Sequence, residues 1–424
     1  MKVTLLNDTD GRENIGCRLT SSALKQQLTH ALNTESNPLE LTPFPWRFSH
    51  GDGTGRAWMQ GLAWIRTKNR SDRANGFVDW LRQVAECEYG TEAVSTTLAS
   101  DLVIFHPEGS ISDYHDAVRI MNLLSLPLLA HTKQIPVFTL NGTFPLYPRD
   151  DRRYRIIQAF LKACAFCALR DRITADYFDT AFMPDSAIMH PVSTAPANSR
   201  PYVLITTGAN QSKGTNLAMA RAALRVCETQ GLTPLVMTKK HKDLRAIQAV
   251  VIERGGQFIE QASLAEAEQW LRQCALHIGG RYHMALFGLI LDVPSVLIPV
   301  NTHKNRWLAE EFAGIELVTN PTDIVPVATQ LFLDRERAGN MQAAVRQARE
   351  QFGQGIKKAA GVAHALIRKD KTGTASDHDE IIDTVSDQLR LRDILSFYPF
   401  GIRIRFNALT RKPAWVPASG GSCS

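Results

Sequence analysis

The sequence predicts an α/β protein of two doubly wound domains followed by a C-terminal extension, on three observations. Short apolar strands alternate with amphipathic helical stretches along most of the chain, which is the signature of parallel βαβ units. At 424 residues the chain exceeds what one ordinary core holds, so two domains are the natural division. A Pro/Ser/Ala/Asn-rich stretch, "HPVSTAPANSRP" at 190–201, interrupts the alternation and reads as a linker. The expected domains are residues 1–192 and 193–364, with an extension over 365–424.

The elements follow in order. "KVTLLN" reads as the first strand, and "RLTSSALKQQLTHALN" as a helix whose apolar residues recur at spacings near three and four. Residues 34–60, rich in Pro, Gly and polar side chains, read as a long loop or insertion. "FVDWLRQVAECE" is a helix, "SDLVIFHPEG" a strand running into a turn, "YHDAVRIMNLLSLPLLAHTKQ" a helix and "IPVFTLNGT" a strand. "YRIIQAFLKACAFCALRD" reads as the helix that closes this run. Beyond the linker come the strand "YVLIT", a polar loop, and the helix "TNLAMARAALRVCETQG", ending at Gly231. "TPLVMTKKH" is a strand, "DLRAIQAVVIERGG" a helix, "QFIEQ" a strand, "LAEAEQWLRQC" a helix, and "ALHIGG" and "PSVLIPV" are strands. From 365 a charged connection leads to a helix, "IIDTVSDQLRLRDIL", and a tail mixing aromatics with Arg403, Arg405, Arg411 and Lys412. That tail suits either packing on the body or contact with an anionic membrane surface.

Composition narrows the class. Hydrophobic residues at 44% and charged residues at 21% fit a soluble globular protein and exclude disorder for most of the length. The net charge of +6 permits an anionic ligand or surface but comes without the dense basic blocks of nucleic-acid binders, so no nucleic-acid partner is expected. Seven scattered cysteines fit reduced thiols in a cytoplasmic protein, and the lone Cys164-x-x-Cys167 fits core packing better than a metal site. No signal-peptide pattern and no apolar run of roughly 18 residues is present, so the expected location is cytoplasmic, at most peripheral at the inner membrane face. His and Cys spacing suggests no metal, and no cofactor is expected.

Chemistry concentrates at one turn. In "LHIGGRYHMALFGLILDVPSVLIP", residues 276–299, a buried strand hands over to an apolar helix through Gly279 and Gly280, and Arg281 stands at the helix start. The macrodipole disfavours a cation there, and a bound anion would reverse the sign. His283, two residues on, can move a proton near neutral pH. Asn210, Gln211 and Lys213 in "TTGANQSKGTN" could hold phosphate oxygens, although the Gly and Lys spacing is not that of a Walker loop. Lys304, after the last strand, could supply a further cation. "HGDGTGR" at 50–56 lacks the strand and helix that a dinucleotide loop needs.

The segment "HIGGRYHMALFGLILDVPSVLIPVNTHK" resembles the signature of the polysaccharide pyruvyl transferase family: a strand, R-x-H, an apolar helix, a Pro step and a strand ending near a Lys. Looser matches are "NIGCRLTSSALKQQL" with Asn14, "DLVIFHPEGSISD", "CALRDRITADYF" with Arg170, and "MPDSA" with Asp185. The resemblance spans residues 1 to about 312, with His106 and Pro107 where a glycine is common. It implies two Rossmann-like domains in a GT-B-like arrangement, the first on the acceptor side and the second on the donor side. It further implies transfer of the enolpyruvyl unit of phosphoenolpyruvate onto a sugar of a cell-surface polysaccharide or its lipid-linked precursor, giving a pyruvate ketal and phosphate. Arg281 and Arg170 would then hold the donor's anionic groups, with Asn14, Lys304, Asn210 and Lys213 as further substrate-binding candidates. His283 would be the general acid. Glu108 is equally a base for the sugar hydroxyl or a carboxylate bonded within its turn; Asp113 and Asp185 are further candidates for the base. The alternatives are a GT-B glycosyltransferase with a nucleotide-sugar donor and a non-catalytic glycan-binding or assembly subunit.

Overall fold

The computed structural model describes residues 1–35, 37–47, 70–192, 199–208, 211–238, 244–300, 302–334 and 336–368. The expected helix and basic tail beyond 368, "HGDGTGR" and Asn210 lie outside them.

The first sheet holds six parallel strands: β1 (Lys2–Leu6), β2 (Glu40–Phe44), β3 (Leu102–Phe105), β4 (Val137–Gly142), β5 (Phe166–Leu169) and β6 (Ala181–Phe182). They lie in the order β2-β1-β3-β4-β5-β6. Around them pack α1 (Ile15–Leu32), α2 (Arg70–Tyr89), α3 (Thr91–Leu98), α4 (Ala117–Thr132), α5 (Arg152–Ala163) and α6 (Arg172–Phe178). The second sheet is also parallel, with β7 (Tyr202–Thr206), β8 (Thr233–Thr238), β9 (Gln257–Glu260), β10 (Cys274–Gly279), β11 (Ser295–Leu297) and β12 (Ile315–Leu317) in the order β12-β11-β10-β7-β8-β9. Its helices are α7 (Lys213–Gln230), α8 (Gln248–Glu253), α9 (Leu264–Leu271), α10 (Tyr282–Ile290), α11 (Lys304–Glu311), α12 (Ile324–Leu333) and α13 (Arg337–Arg368).

The sequence explains most of these elements locally. β3 is four apolar residues, all buried, as a strand covered by helices on both faces requires. α1 starts where Asn14 Oδ1 accepts from Gly16 N at 3.1 Å, and α7 stops at Gly231 in the left-handed region at φ 65°. Ser263 and Glu266 form a reciprocal capping box at the start of α9.

Three expectations are corrected. Residues 40–44, read as loop, form β2 paired in parallel with β1. A strand at the sheet edge tolerates Pro43, whose missing N–H points away from a partner, and that proline hid the strand in the sequence. The closing helix of the first domain is two elements: α5 stops at Ala163, Cys164 turns extended at φ −70° and ψ 136°, and the apolar "FCAL" returns as β5. Beyond residue 300 the chain adds α11, β12 and α12 before the 32-residue α13. Met341, Phe352 and Ile356 of α13 join one core with Leu28, Leu32 and Phe138 of the first sheet's layer, so α13 reaches back to that domain.

Each sheet changes winding direction once, and the two reversals face the same cleft. In the first sheet the reversal lies between β1 and β3, and in the second between β7 and β10. Loops leaving such neighbouring strand ends diverge to opposite faces and open a crevice for a ligand. The loop after β3 carries Glu108, and the turn after β10 carries Arg281, with His283 just beyond it in the first turn of α10.

Candidate active site

Glycine makes the second domain's half possible. A Cβ at Gly279 would lie 2.1 Å from Thr206 Oγ1, and one at Gly280 would lie 2.5 Å from Gly208 Cα. Two strand ends therefore meet in van der Waals contact, and α10 starts directly over them. Arg281 is its N-cap residue, with Nη2 donating to Thr207 Oγ1 at 3.1 Å. It lines a pocket with Asn14, Thr206, Met237, Gln261 and Met284.

His283 projects from the first turn of α10 into the first domain. Its Nε2 lies 3.2 Å from Asp185 Oδ2 and its Nδ1 3.9 Å from Glu108 Oε1. Arg170 Nη1 donates to the same Asp185 oxygen at 2.9 Å and stands 3.2 Å from His283 Nε2. A guanidinium only donates and this carboxylate only accepts, so we assign the Nε2 proton to the bond with Asp185. Asp185 Oδ1 takes Thr20 Oγ1 at 2.8 Å and Ala187 N at 2.9 Å, which completes its shell. The start of α1 presses on the imidazole so closely that a Cβ at Gly16 would sit 2.5 Å from His283 Nδ1.

The HPEGS turn is firmly built. Asn7 Nδ2 donates to His106 O at 2.7 Å and to Ser110 Oγ at 3.1 Å, while Thr143 N donates to Glu108 O at 2.8 Å. Pro107 fills space that a glycine leaves open: a Cβ at Gly142 would lie 2.2 Å from its Cγ. Glu108 adopts φ 50°, a left-handed conformation that strains a side-chain-bearing residue by about 1–2 kcal/mol, and its carboxylate reaches the cluster, where Cys17 Sγ stands 3.4 Å from Oε2.

Arg170 is fully buried. Nε donates to Thr143 Oγ1 at 2.9 Å, the guanidinium lies 4.9 Å from the Tyr282 ring centroid, and Nη2 has no hydrogen-bond partner. A Cβ at Gly109 would lie 3.3 Å from that Nη2 and 3.7 Å from Lys304 Nζ, so both cations face the space above this glycine.

The charges set one another. Burial alone would raise the Glu108 and Asp185 carboxyls, but His283 and Arg170 outweigh it; both acids are held below their ordinary values, Asp185 far below. Burial opposes the charge on Arg170 as well, and Asp185, Tyr282 and Glu108 reverse that effect and raise it. Lys304, half-buried, is pushed down to about 8 by desolvation and by Arg170 and Arg281, against the pull of Glu108.

The structure thus brings together His283, Glu108, Arg170, Asp185 and Lys304, with Arg281 and Asn14 at the adjoining pocket. Asp113 is exposed and outside this hydrogen-bonded cluster; its carbonyl accepts from Arg153 Nη1 at 3.1 Å, and desolvation raises its carboxyl. Lys213 is exposed in the first turn of α7, and Gln211 Nε2 is engaged by Pro299 O at 2.6 Å. Sequence reasoning missed Cys17, Tyr282 and His303; the last two are chain neighbours of candidate residues, Arg281 and His283 on one side and Lys304 on the other, which was the available signal. Among the described residues no group of three or more His, Cys, Asp or Glu is arranged to hold a metal ion, and no helix is long and apolar enough to cross a membrane.

An imidazole between two ionised carboxylates, beside cations with unused donors, can hold an anionic substrate and move a proton to it or from it. Known proteins bear on which substrate class this is. No curated protein matches the chain. Among solved structures, UDP-GlcNAc 2-epimerase from Neisseria meningitidis bound to UDP-GlcNAc superposes with a TM-score of 0.51 at 12% identity, covering 87% of this chain and 100% of that one. An Anabaena protein, HepE, in complex with UDP and glucose gives 0.51 at 11%, covering 86% and 99%. The S. aureus MnaA–UDP complex gives 0.50 at 13%, covering 80% and 90%. These share the fold, two Rossmann-like domains across a cleft in the GT-B manner. The profile of the polysaccharide pyruvyl transferase family matches residues 14–302, from the cap of α1 through the HPEGS turn, Arg170, Asp185 and the R-x-H turn to Thr302, two residues before Lys304, and the chain belongs to that family.

Proposed function

We propose that this transferase moves the enolpyruvyl unit of phosphoenolpyruvate onto a sugar of a cell-surface polysaccharide or its lipid-linked precursor, closing a pyruvate ketal and releasing phosphate. The observation that carries this reading is the pair of cations over Gly109. A fully buried guanidinium with an orphaned Nη2 faces the same space as Lys304 Nζ. A buried donor without an acceptor is costly, by about 1–3 kcal/mol, and an anion seated there removes that cost. Phosphoenolpyruvate carries a carboxylate and a phosphate. The second anionic group has its own seat at the start of α10, where Arg281 and the free N–H groups of a helix terminus converge.

The protons follow from the same cluster. His283, anchored by its Nε2–H on Asp185, passes a second proton from Nδ1, the nitrogen that faces Glu108, to C3 of the enol, which becomes a methyl group and leaves C2 electrophilic. Glu108, ionised at neutral pH, accepts the proton of the first sugar hydroxyl as its oxygen bonds to C2. A second hydroxyl closes the ring as the C2–O bond to phosphate breaks. The protons of the two hydroxyls balance the one gained at C3 and the one leaving with phosphate. His283 comes from the second domain and both carboxylates from the first, so the reaction requires the closed cleft. The work fits a cytoplasmic enzyme, with the basic aromatic tail beyond 368 suited to meeting a lipid-linked acceptor at the membrane face.

The test is to incubate the purified protein with phosphoenolpyruvate and a panel of galactosides, glucosides and N-acetylhexosamines, following phosphate by colorimetry and the ketal methyl by NMR. Equal yields of the two are expected with one acceptor class. Tight binding of a UDP-sugar without any ketal would replace this reading with a nucleotide-sugar transferase, which the UDP complexes of the shared fold favour. Glycan binding without turnover of either donor would leave an assembly subunit.

A further inference from the structure

We infer that the Asp171–His303 pair is a cross-domain latch that positions Lys304 against Arg170, which makes His303 a positioning residue for the donor anion; this rests on the reading above. The pair sits one residue from each cation: Asp171 follows Arg170 in the chain, and His303 precedes Lys304. His303 Nε2 lies 2.9 Å from Asp171 Oδ1, and the two side chains are 8% and 0% exposed.

The latch is wired to Arg170. Arg170 Nε donates to Thr143 Oγ1 at 2.9 Å, and Thr143 Oγ1 donates to Asp171 Oδ2 at 2.7 Å. Thr174 Oγ1 donates to that oxygen at 2.8 Å, and Thr174 N donates to Asp171 Oδ1 at 2.7 Å. His303 Nε2 is also 2.9 Å from Thr174 Oγ1. Because the threonine proton already lies on Asp171, both neighbours of His303 can only accept, and Nε2 must carry the hydrogen. The contact is therefore one N–H from the second domain aimed at a carboxylate fixed in the first.

The latch also fixes α11. His303 is the residue before the helix, its side chain makes no capping bond, and its carbonyl accepts from Trp307 N at 3.0 Å. A shift of His303 therefore moves the first turn, where Lys304 stands. The other tether near the far end of α11, Arg172 Nη2 to Glu311 Oε1 at 3.4 Å, is largely exposed and correspondingly weak. A latch is needed because the seat crowds like charges. Before the anion arrives, Lys304 faces Arg170 and Arg281 with Glu108 as its counter-charge, beside the buried Cys17 thiol and the Tyr282 ring, and burial with this repulsion pushes its ammonium down to about 8. Unlatched, Lys304 would swing away from Arg170.

The experiment uses the full chain with His303→Ala, His303→Gln and the exposed Arg172→Ala as control. Amine labelling of Lys304, followed by mass spectrometry against pH without any donor, reads its ionisation; steady-state kinetics with phosphoenolpyruvate read binding. In His303→Ala the labelling midpoint should rise from about 8 towards that of an ordinary lysine. The donor KM should rise about tenfold with kcat changed less than about threefold. His303→Gln, which keeps an N–H of similar reach, should restore both, and Arg172→Ala should move neither. A midpoint that stays near 8 in His303→Ala overturns the latch, as does an equal fall in kcat with donor KM unmoved. If the parent protein turns over no phosphoenolpyruvate, the labelling midpoint still decides the latch, so the two readings fail separately.

Discussion

The two walls of the cleft are built on opposite plans. The first domain contributes Glu108, Arg170, Asp171 and Asp185, which are 7%, 0%, 0% and 1% exposed; Arg170 pairs directly with Asp185 and reaches Asp171 through Thr143, while Glu108 lies against the Cys17 thiol. The second contributes Arg281 and Lys304, both half-buried, and His283 at 9% exposure. Charges that deep survive only when paired, because desolvation outweighs an isolated ion's interactions. The difference teaches a division of labour. The first wall is a template whose charges are held by buried partners; the second carries Lys304, whose lowered ammonium a bound anion can raise again.

Substituting the template should therefore have the largest effect. Arg170→Met removes the partner of Asp185 and leaves a carboxylate in the core with only His283 and two neutral donors. A loss of about 3–5 kcal/mol of unfolding free energy is expected, measured by urea titration, together with loss of donor binding. An Arg170→Met protein with unchanged stability would show that the wall does not depend on that pair.

His283 is the joint between the walls, so its substitution separates chemistry from architecture. His283→Gln keeps a polar group near Asp185 but cannot donate a proton near neutral pH. The expected result is a fall in kcat of about 10²–10³ with donor KM within a few-fold, read from initial rates of phosphate release. A rise in KM without a fall in kcat would make His283 a binding group and move the proton source elsewhere.

The same contrast explains what could be read in advance. The R-x-H turn was legible because glycines, a cation at a helix start and an apolar helix are all local in sequence. Gly231 ended its helix as expected for the same reason. What joins the walls is not local: His283 meets Arg170 across 113 positions, and His303 meets Asp171 across 132. Beyond its place next to Lys304, His303 has no pattern to betray it, since its partner is chosen by the docking of one domain on the other. Residues 40–44 failed for a different reason, because an edge strand is half-exposed and its proline mimics a loop. Asp185 was visible only as an acid after a proline; that it would anchor both Arg170 and His283 depended on the loop after β6 folding back under β5.

The smallest effect belongs to the second wall's titratable cation, and it is the most informative about which wall responds to the substrate. The folded pKa of Lys304, about 8, lies below that of an ordinary lysine, so its charged form is present below that pH and lost above it. The donor's kcat/KM reports the free enzyme and should fall above pH about 8. A bound dianion stabilises the ammonium, so kcat should show no such limb. Lys304→Gln should lower kcat/KM about tenfold at pH 7 and progressively less above pH about 8, as the limb disappears. Arg170, raised rather than lowered, produces no limb in this range. An alkaline limb that survives in Lys304→Gln would mean that the titrating group belongs to the template wall, and the division between a fixed wall and a responsive one would have to be abandoned.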